Sequence, residues 1–173
     1  TCAEKLCADG AEILAMPCIT AHAMHETIQG QIEVPLIHII KETADCLEQA
    51  GVSRVALEAT DGTIRTGVFQ KELESRGMQV LLPTAEKQQM VMDIIYGNVK
   101  AGISVDMDKF GQVEKELKER GAQVIILGCT ELSMVKRDYK LSSCYLDAME
   151  VLARRAVQNC GFLRKEYETL LGE

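Results

Sequence analysis

The chain predicts an α/β protein of two pseudosymmetric lobes, each a parallel sheet flanked by helices. Three observations point there. One design occurs twice: Gly10-Ala11 leads an apolar run that ends at Cys18, and Gly121-Ala122 leads another that ends at Cys129. Short apolar runs alternate with longer helical patterns, as βαβ units do. Glycines stand where those helices would stop, at Gly51, Gly77, Gly102 and Gly121, positions that favour a residue free to take a left-handed conformation.

Taken in order, Glu4 to Gly10 reads as the end of a helix entering a strand, and Glu12–Met16 as that strand. An apolar run led in by Gly-Ala is the pattern of a strand buried on both faces. The turn after Cys18 leads into a helix around Ala23–Gln29, with a crossover near Val34-Pro35. Helices follow at Ile39–Gln49, Val68–Arg76, Glu86–Lys100, Phe110–Arg120 and Ala148–Asn159. Strands follow at Arg54–Glu58, Gln79–Leu82, Gln123–Leu127 and Ser143–Leu146, with a second crossover near Asp138–Leu141. The repeat divides the chain into a first lobe of residues 1–35 plus 142–173 and a second lobe of residues 36–141. The helices from Asp147 to Leu171 are expected to return to the first lobe.

Bulk properties exclude several classes of function. A formal net charge of -7 with no basic run argues against nucleic-acid binding. No apolar stretch approaches a membrane span. Aromatic content of 4% without tryptophan leaves little with which to stack bases or sugars. Seven cysteines in 173 residues is an odd number in a chain that is no small secreted scaffold, so reduced thiols in the cytoplasm are expected. Thr1 is not an initiator, so an N-terminal segment is expected to precede it.

Each repeated cysteine falls at the carboxyl end of a strand, where open α/β sheets place ligands. Free N–H groups and the positive end of a helix dipole there lower a thiol pKa. The same N–H groups hold carboxylates. A thiolate base on one side and a thiol acid on the other suit stereoinversion at an acidic carbon. The plain alternative for any cysteine is a small buried hydrophobe, and the matched positions of Cys18 and Cys129 set them apart from the other five. Cys18, His22 and His25 could also be read as zinc ligands, but no second ligand cluster supports a metal, and hydrogen-bonded histidines are the simpler expectation. Met90, Met92 and Ile94-Ile95 read as core packing, Glu114–Arg120 as a solvated helix face, and Asp147 as a helix N-cap.

Four motifs, in order and spread over the chain, carry a resemblance. Met16-Pro17-Cys18-Ile19-Thr20-Ala21-His22 resembles the P-C-N-T-A-H motif of the aspartate/glutamate racemase family, and Gly128-Cys129-Thr130-Glu131-Leu132 its G-C-T-E-L motif. Ala59-Thr60-Asp61-Gly62-Thr63 resembles the family's A-T-x-G-T loop, and Tyr96-Gly97-Asn98-Val99-Lys100-Ala101-Gly102 its Y-x-x-V-K-x-G segment. The resemblance implies a racemase that works without pyridoxal phosphate or any other cofactor. Cys18 and Cys129 would be its acid/base pair. Thr20 and Ala21, with Thr130 and Glu131, would line the head group of an aspartate or glutamate substrate, Thr60 and Thr63 would hydrogen-bond it, and Lys100 would pair with its side-chain carboxylate. Read without the family, Lys100 is a cation near a helix C-terminus. A homodimer is expected from the family and from an exposed sheet edge.

The chain also departs from that pattern. Ile19 stands where the family has asparagine and offers the pocket no hydrogen bond. Glu58 stands where the family strand is apolar, and either repels an acidic substrate or is paired elsewhere. Ser133 replaces a common proline. The family's opening strand and Gly-Gly-x-Gly-Pro loop have no counterpart. Two further readings therefore stay open: an enzyme resembling maleate isomerases, which attack an alkene with one thiol, and an amino-acid-binding protein without turnover.

Overall fold

A computed structural model describes residues 1–171. The chain opens with α1 (Cys2–Ala8), β1 (Leu14–Ala15), a 3₁₀ turn (Thr20–Met24), α2 (His25–Gln29) and β2 (Leu36–Ile37). Next come α3 (Ile39–Gln49), β3 (Arg54–Glu58), α4 (Asp61–Thr66), α5 (Val68–Ser75), β4 (Gln79–Leu81) and α6 (Ala85–Met92). After a π-helical stretch (Asp93–Val99) follow α7 (Met107–Glu119), β5 (Val124–Leu127), α8 (Thr130–Asp138), β6 (Tyr145–Asp147) and α9 (Ala148–Cys160). This is the expected α/β architecture, with every strand pairing parallel.

The strands form a two-stranded sheet, β1-β2, and a four-stranded sheet in the order β4-β3-β5-β6. Val55, Leu57, Val124, Ile126 and Leu146 face one core with Ile39, Ile40 and Leu47 of α3, Phe69 and Leu73 of α5, and Val151 and Leu152 of α9. Ala56, Ile125, Leu127 and Tyr145 face the other, with Val91, Ile94, Ile95, Phe110, Val113, Leu117, Leu132 and Val135. Strands buried on both faces need unbroken apolar runs, which explains Val124-Ile125-Ile126-Leu127. Each fully buried Leu, Ile or Phe contributes roughly 1.5–3 kcal/mol.

Gly51, Gly77, Gly102 and Gly121 all take positive φ, from 68° to 89°, and stop their helices as expected. Three features were not read from the sequence. Strand β2 is two residues long and pairs with β1 (Leu14↔Leu36), so the small sheet continues past residue 35. Helix α4 is one short turn set off by Thr60, whose hydroxyl accepts the Thr63 N–H. Strand β6 lies within the 142–173 segment expected in the first lobe, yet it pairs with β5 of the larger sheet (Ile125↔Tyr145). The free edge of β5 is buried on both faces and accepts two apolar residues, Tyr145 and Leu146, that would otherwise be exposed. Helix α9 then packs along α3.

The single helix expected over Glu86–Lys100 changes character at Asp93. From there the Lys100 N–H reaches Ile95 O at 3.0 Å, a wider turn than the α-helix makes. Such stretches are frequent at functional sites, and this one carries Tyr96 and Lys100 to the same cavity as the two repeated cysteines.

Candidate active site

A cavity of about 260 Å³ lies at the carboxyl ends of the strands. Pro17, Cys18, Ile19 and Thr20 line it from the first repeat, and Gly128, Cys129, Thr130 and Glu131 from the second. Thr60, Thr63, Tyr96 and Lys100 complete the wall. Ala21, expected among the head-group residues, is not part of that lining. Tyr96 is, although only its place in a motif hinted at it; its ring lies 4.3 Å from Lys100 Nζ.

Cys18 is exposed and Cys129 is 9% accessible, so the two thiols meet different surroundings. The Cys18 carbonyl is held by His22 Nδ1 at 3.0 Å, while Ile19 turns into the core at 3% exposure. Thr20 Oγ1 bonds Thr63 Oγ1 at 2.7 Å, and Thr63 Oγ1 bonds Thr60 Oγ1 at 3.1 Å. This hydroxyl chain ties the turn after Cys18 to the start of α4.

Cys129 caps α8 in an extended conformation, and its carbonyl accepts the Leu132 and Ser133 N–H groups at 3.1 and 3.2 Å. The Cys129 thiol donates to Glu131 Oε2 at 2.7 Å, as does the Thr130 hydroxyl at 2.9 Å. Glu131 Oε1 lies 3.6 Å from Lys100 Nζ. Here one expectation is overturned: the helix N-terminus does not lower the Cys129 pKa. Burial first, and then the Glu131 carboxylate, push it up to about 12, because desolvation and a neighbouring anion outweigh the dipole of a short helix. Glu131 is lowered: burial opposes its charge, but hydrogen bonds from Cys129 and Thr130 prevail. Lys100 is raised: desolvation opposes its charge, but Glu131, Tyr96 and Cys129 together prevail.

Ser133, which replaces a common proline, donates to Asp147 Oδ1 at 2.7 Å. The same oxygen accepts the Met149 N–H at 2.8 Å, so Asp147 caps α9 as expected and also joins the starts of α8 and α9.

Among the described residues, Glu58 neither lines the cavity nor pairs with a cation. It is fully buried on the face that carries Ala56, and both its carboxyl oxygens lack a hydrogen-bond partner among the described residues. Burial, then the charge of Glu114, push its pKa up to about 8, with the Tyr145 hydroxyl acting the other way. It is therefore largely neutral at pH 7 and does not repel an anionic ligand.

All three histidines of the chain meet behind Cys18, with ring centroids 4.1 to 5.7 Å apart. His22 Nε2 accepts the Ile39 N–H at 3.4 Å, His25 Nε2 bonds Leu36 O at 2.9 Å, and His38 Nδ1 accepts the Lys41 N–H at 3.4 Å. They are hydrogen-bonded histidines that pin the Cys18 turn to β2 and α3. Burial, then His25 and His22, lower His38 to about 4, and burial lowers His22. Depressed histidines bind fewer protons in the folded than in the unfolded chain, so their stabilisation is lost as pH falls from 6.5 towards 4. The variant His38→Gln is expected to flatten the denaturant midpoint across that window; a slope equal to that of the unsubstituted protein would refute this.

The chain matches the Asp/Glu/hydantoin racemase family over residues 1–156. It is 30% identical over 155 residues to the broad specificity amino-acid racemase RacX of Bacillus subtilis, a match covering 90% of this chain and 67% of that protein. An aspartate racemase homologue from Pyrococcus horikoshii superposes with a TM-score of 0.77 at 28% identity, covering 91% of this chain and 70% of the other. The Picrophilus torridus aspartate racemase gives a TM-score of 0.81 at 23% identity over 97% of this chain and 71% of that one, a likeness of fold.

Proposed function

The chain belongs to the Asp/Glu/hydantoin racemase family, and from that premise we propose that it racemises an acidic amino acid, aspartate or glutamate, by proton transfer between Cys18 and Cys129. The observation that carries this reading is the pair of thiols, one from each repeat, on the wall of a single small cavity. One cysteine removes the Cα proton as thiolate, and the other returns a proton to the opposite face. A carbanion formed without an electron sink needs donors already aimed at the carboxylate. The start of α8 at Thr130 and the hydroxyls of Thr20, Thr60 and Thr63 are the candidates for that task. Lys100 is the cation lining the cavity, and it is the proposed partner of the substrate's side-chain carboxylate, to which it turns from Glu131. Seven free cysteines support a reducing compartment, the cytoplasm. The open edge of the β1-β2 sheet supports a homodimer, which sedimentation of the reduced protein would read.

Proton NMR of L- and D-aspartate, L- and D-glutamate and a set of neutral amino acids in deuterated buffer tests the reading. The Cα–H signal of an acidic substrate is expected to fade, and Cys18→Ala or Cys129→Ala to slow racemisation by roughly 10²–10⁴-fold, the usual worth of a positioned acid or base. Unchanged rates in both variants would rule out the two-thiol mechanism. Preferred exchange of neutral amino acids would move the substrate class towards that named for the Bacillus relative. One feature favours a second reading, an amino-acid-binding protein without turnover: Ile19 gives the pocket no side-chain donor. Ligand-induced stabilisation without Cα exchange would select it.

A further inference from the structure

The two repeats hold their cysteines differently. The Cys129 carbonyl accepts the Leu132 and Ser133 N–H groups of α8, which do not titrate. The Cys18 carbonyl is instead held by an imidazole, His22 Nδ1, at 3.0 Å. All three histidines of the chain gather on that side. We infer that His22, His25 and His38 form a proton-operated latch on Cys18, with His22 as the positioning residue: the neutral cluster holds Cys18 in place on the cavity wall, and a proton taken up by the cluster releases it. Where it concerns catalysis, this rests on the two-thiol reading.

The hydrogen bonds fix the rings in their neutral form. His22 Nδ1 carries a proton, because its partner is a carbonyl, and Nε2 is bare, because it accepts the Ile39 N–H at 3.4 Å. His25 Nε2 donates to Leu36 O at 2.9 Å. His38 Nδ1 accepts the Lys41 N–H at 3.4 Å and so caps α3. In His22 and in His38, the place left for a second proton is therefore a nitrogen that already faces a backbone N–H. A proton at His22 Nε2 breaks the bond to Ile39, and with it the tie between the Cys18 turn and α3. A proton at His38 Nδ1 uncaps that helix.

The rings also act on one another. Their centroids lie 4.1 Å apart for His25 and His38, 5.5 Å for His22 and His38, and 5.7 Å for His22 and His25, so charge on one opposes charge on the next. Burial lowers His22 against the Cys18 and Ile37 carbonyls, and His25 adds to the effect. Burial, His25, His22 and Lys41 of α3 lower His38 to about 4, against Glu72 of α5. Rings held below their ordinary 6.5 are neutral at pH 7, and the latch opens as pH falls from 6.5 towards 4. The release is selective. Thr20 Oγ1 stays bonded to Thr63 Oγ1 at 2.7 Å, and none of the three histidines is on the cavity wall. The proposed substrate-binding groups therefore keep their places while the thiol moves, so kcat falls and KM does not.

The test compares the unsubstituted chain with His22→Leu, His22→Asn and His25→Gln, with circular dichroism to check each fold. Asparagine keeps a donor for the Cys18 carbonyl, glutamine keeps one for Leu36, and neither titrates. Two measurements span roughly pH 4.5 to 8, the range around a histidine transition. The first is NMR of the ring nitrogens and of the Ile19, Thr20 and Ile39 amides. These amides are expected to shift with the His22 midpoint, and that midpoint to rise in His25→Gln, which removes a neighbouring charge. Amides unmoved through the ring transition, or a His22 midpoint unchanged in His25→Gln, overturn the latch. The second measurement is kcat and KM for Cα–H exchange of aspartate and glutamate. At pH 7.5, His22→Leu is expected to lower kcat by roughly 10²-fold, the cost of a 1 Å misplacement, with KM unchanged and most of kcat regained in His22→Asn. On the acid side, kcat of the unsubstituted chain is expected to fall more steeply than that of His22→Asn. Unchanged kcat in His22→Leu, or equal acid slopes in the unsubstituted chain and His22→Asn, overturns the proposal and leaves the two-thiol reading standing. Absence of exchange in the unsubstituted chain overturns the two-thiol reading instead, and the amide shifts then decide the latch by themselves.

Discussion

Replacing Glu58 by leucine is expected to stabilise the fold by roughly 1–3 kcal/mol at pH 7, the cost of a buried polar group without a partner. Glu58 is fully buried with both carboxyl oxygens unpartnered, and its backbone pairs in register with Leu127. Leucine fills similar space and needs no hydrogen bond beside Ala56, Ile125 and Leu127, while the buried Tyr145 hydroxyl, itself without a partner among the described residues, loses a polar neighbour and keeps the gain towards the lower end of that range. The effect grows with pH. With a folded pKa of about 8 against an ordinary 4.5, the folded chain binds more protons than the unfolded one between those values. Stability from neutral Glu58 is therefore complete below pH 4.5 and is lost as pH rises through 8. Urea midpoints at pH 6, 7.5 and 9 should fall steeply for the natural sequence and more gently for Glu58→Leu; parallel slopes would contradict this account. Between pH 4.5 and 6.5 this slope opposes that of the histidine cluster, so the histidine effect is best measured in the Glu58→Leu background.

Gly128→Ala is expected to have the second large effect, costing roughly 1–3 kcal/mol by overpacking and impairing catalysis. A Cβ there would lie 2.8 Å from Leu57 Cδ1, 3.1 Å from Ala59 Cβ and 3.2 Å from Glu58 O. Leu57 is fully buried and cannot yield freely. The Gly128 N–H also donates to Glu58 O at 2.7 Å, so a displaced backbone would carry the adjoining Cys129 with it. Gly62→Ala provides the contrast. There the nearest neighbours of a Cβ, Thr20 Cγ2 and Thr60 Oγ1, lie at 3.6 and 3.7 Å. Within α4 alanine is favoured over glycine by roughly 0.5–1 kcal/mol. Thermal unfolding of the two variants should move in opposite directions, and a Gly128→Ala protein as stable as Gly62→Ala would show that the β3–β5 junction is not closely packed.

Local patterns made much of this protein legible. The helix expected over Ile39–Gln49 matches α3 residue for residue, since its apolar spacing, its stop at Gly51 and its burial against the sheet all agree. The runs at Arg54–Glu58 and Val124–Leu127 are strands because an unbroken apolar run fits only a sheet covered on both faces. Strand β2 carries no sequence signal because two residues show no period, and helix α4 carries none because Thr60 starts it with a cap rather than an apolar stripe. The π-helical stretch was hidden in a helical pattern: an extra residue per turn changes where side chains point without changing their order.

From the sequence alone, the parallel α/β fold follows, and so does the pair of cysteines placed alike after repeated strands. Hydrophobic periodicity and glycine stops are local signals that survive without tertiary contacts. Tertiary structure decided what those residues experience. Cys18 and Cys129 look equivalent in the repeat, yet one is exposed and the other buried against a carboxylate. Glu58 reads as a charge at the mouth of a site and is instead an unpartnered acid in the core. Protonation and exposure depend on desolvation and on charges distant in sequence, such as Lys100 beside Glu131 and Glu114 near Glu58. No local pattern encodes those distances, because they are set only when the sheet, the π-helical stretch and the flanking helices close on one another.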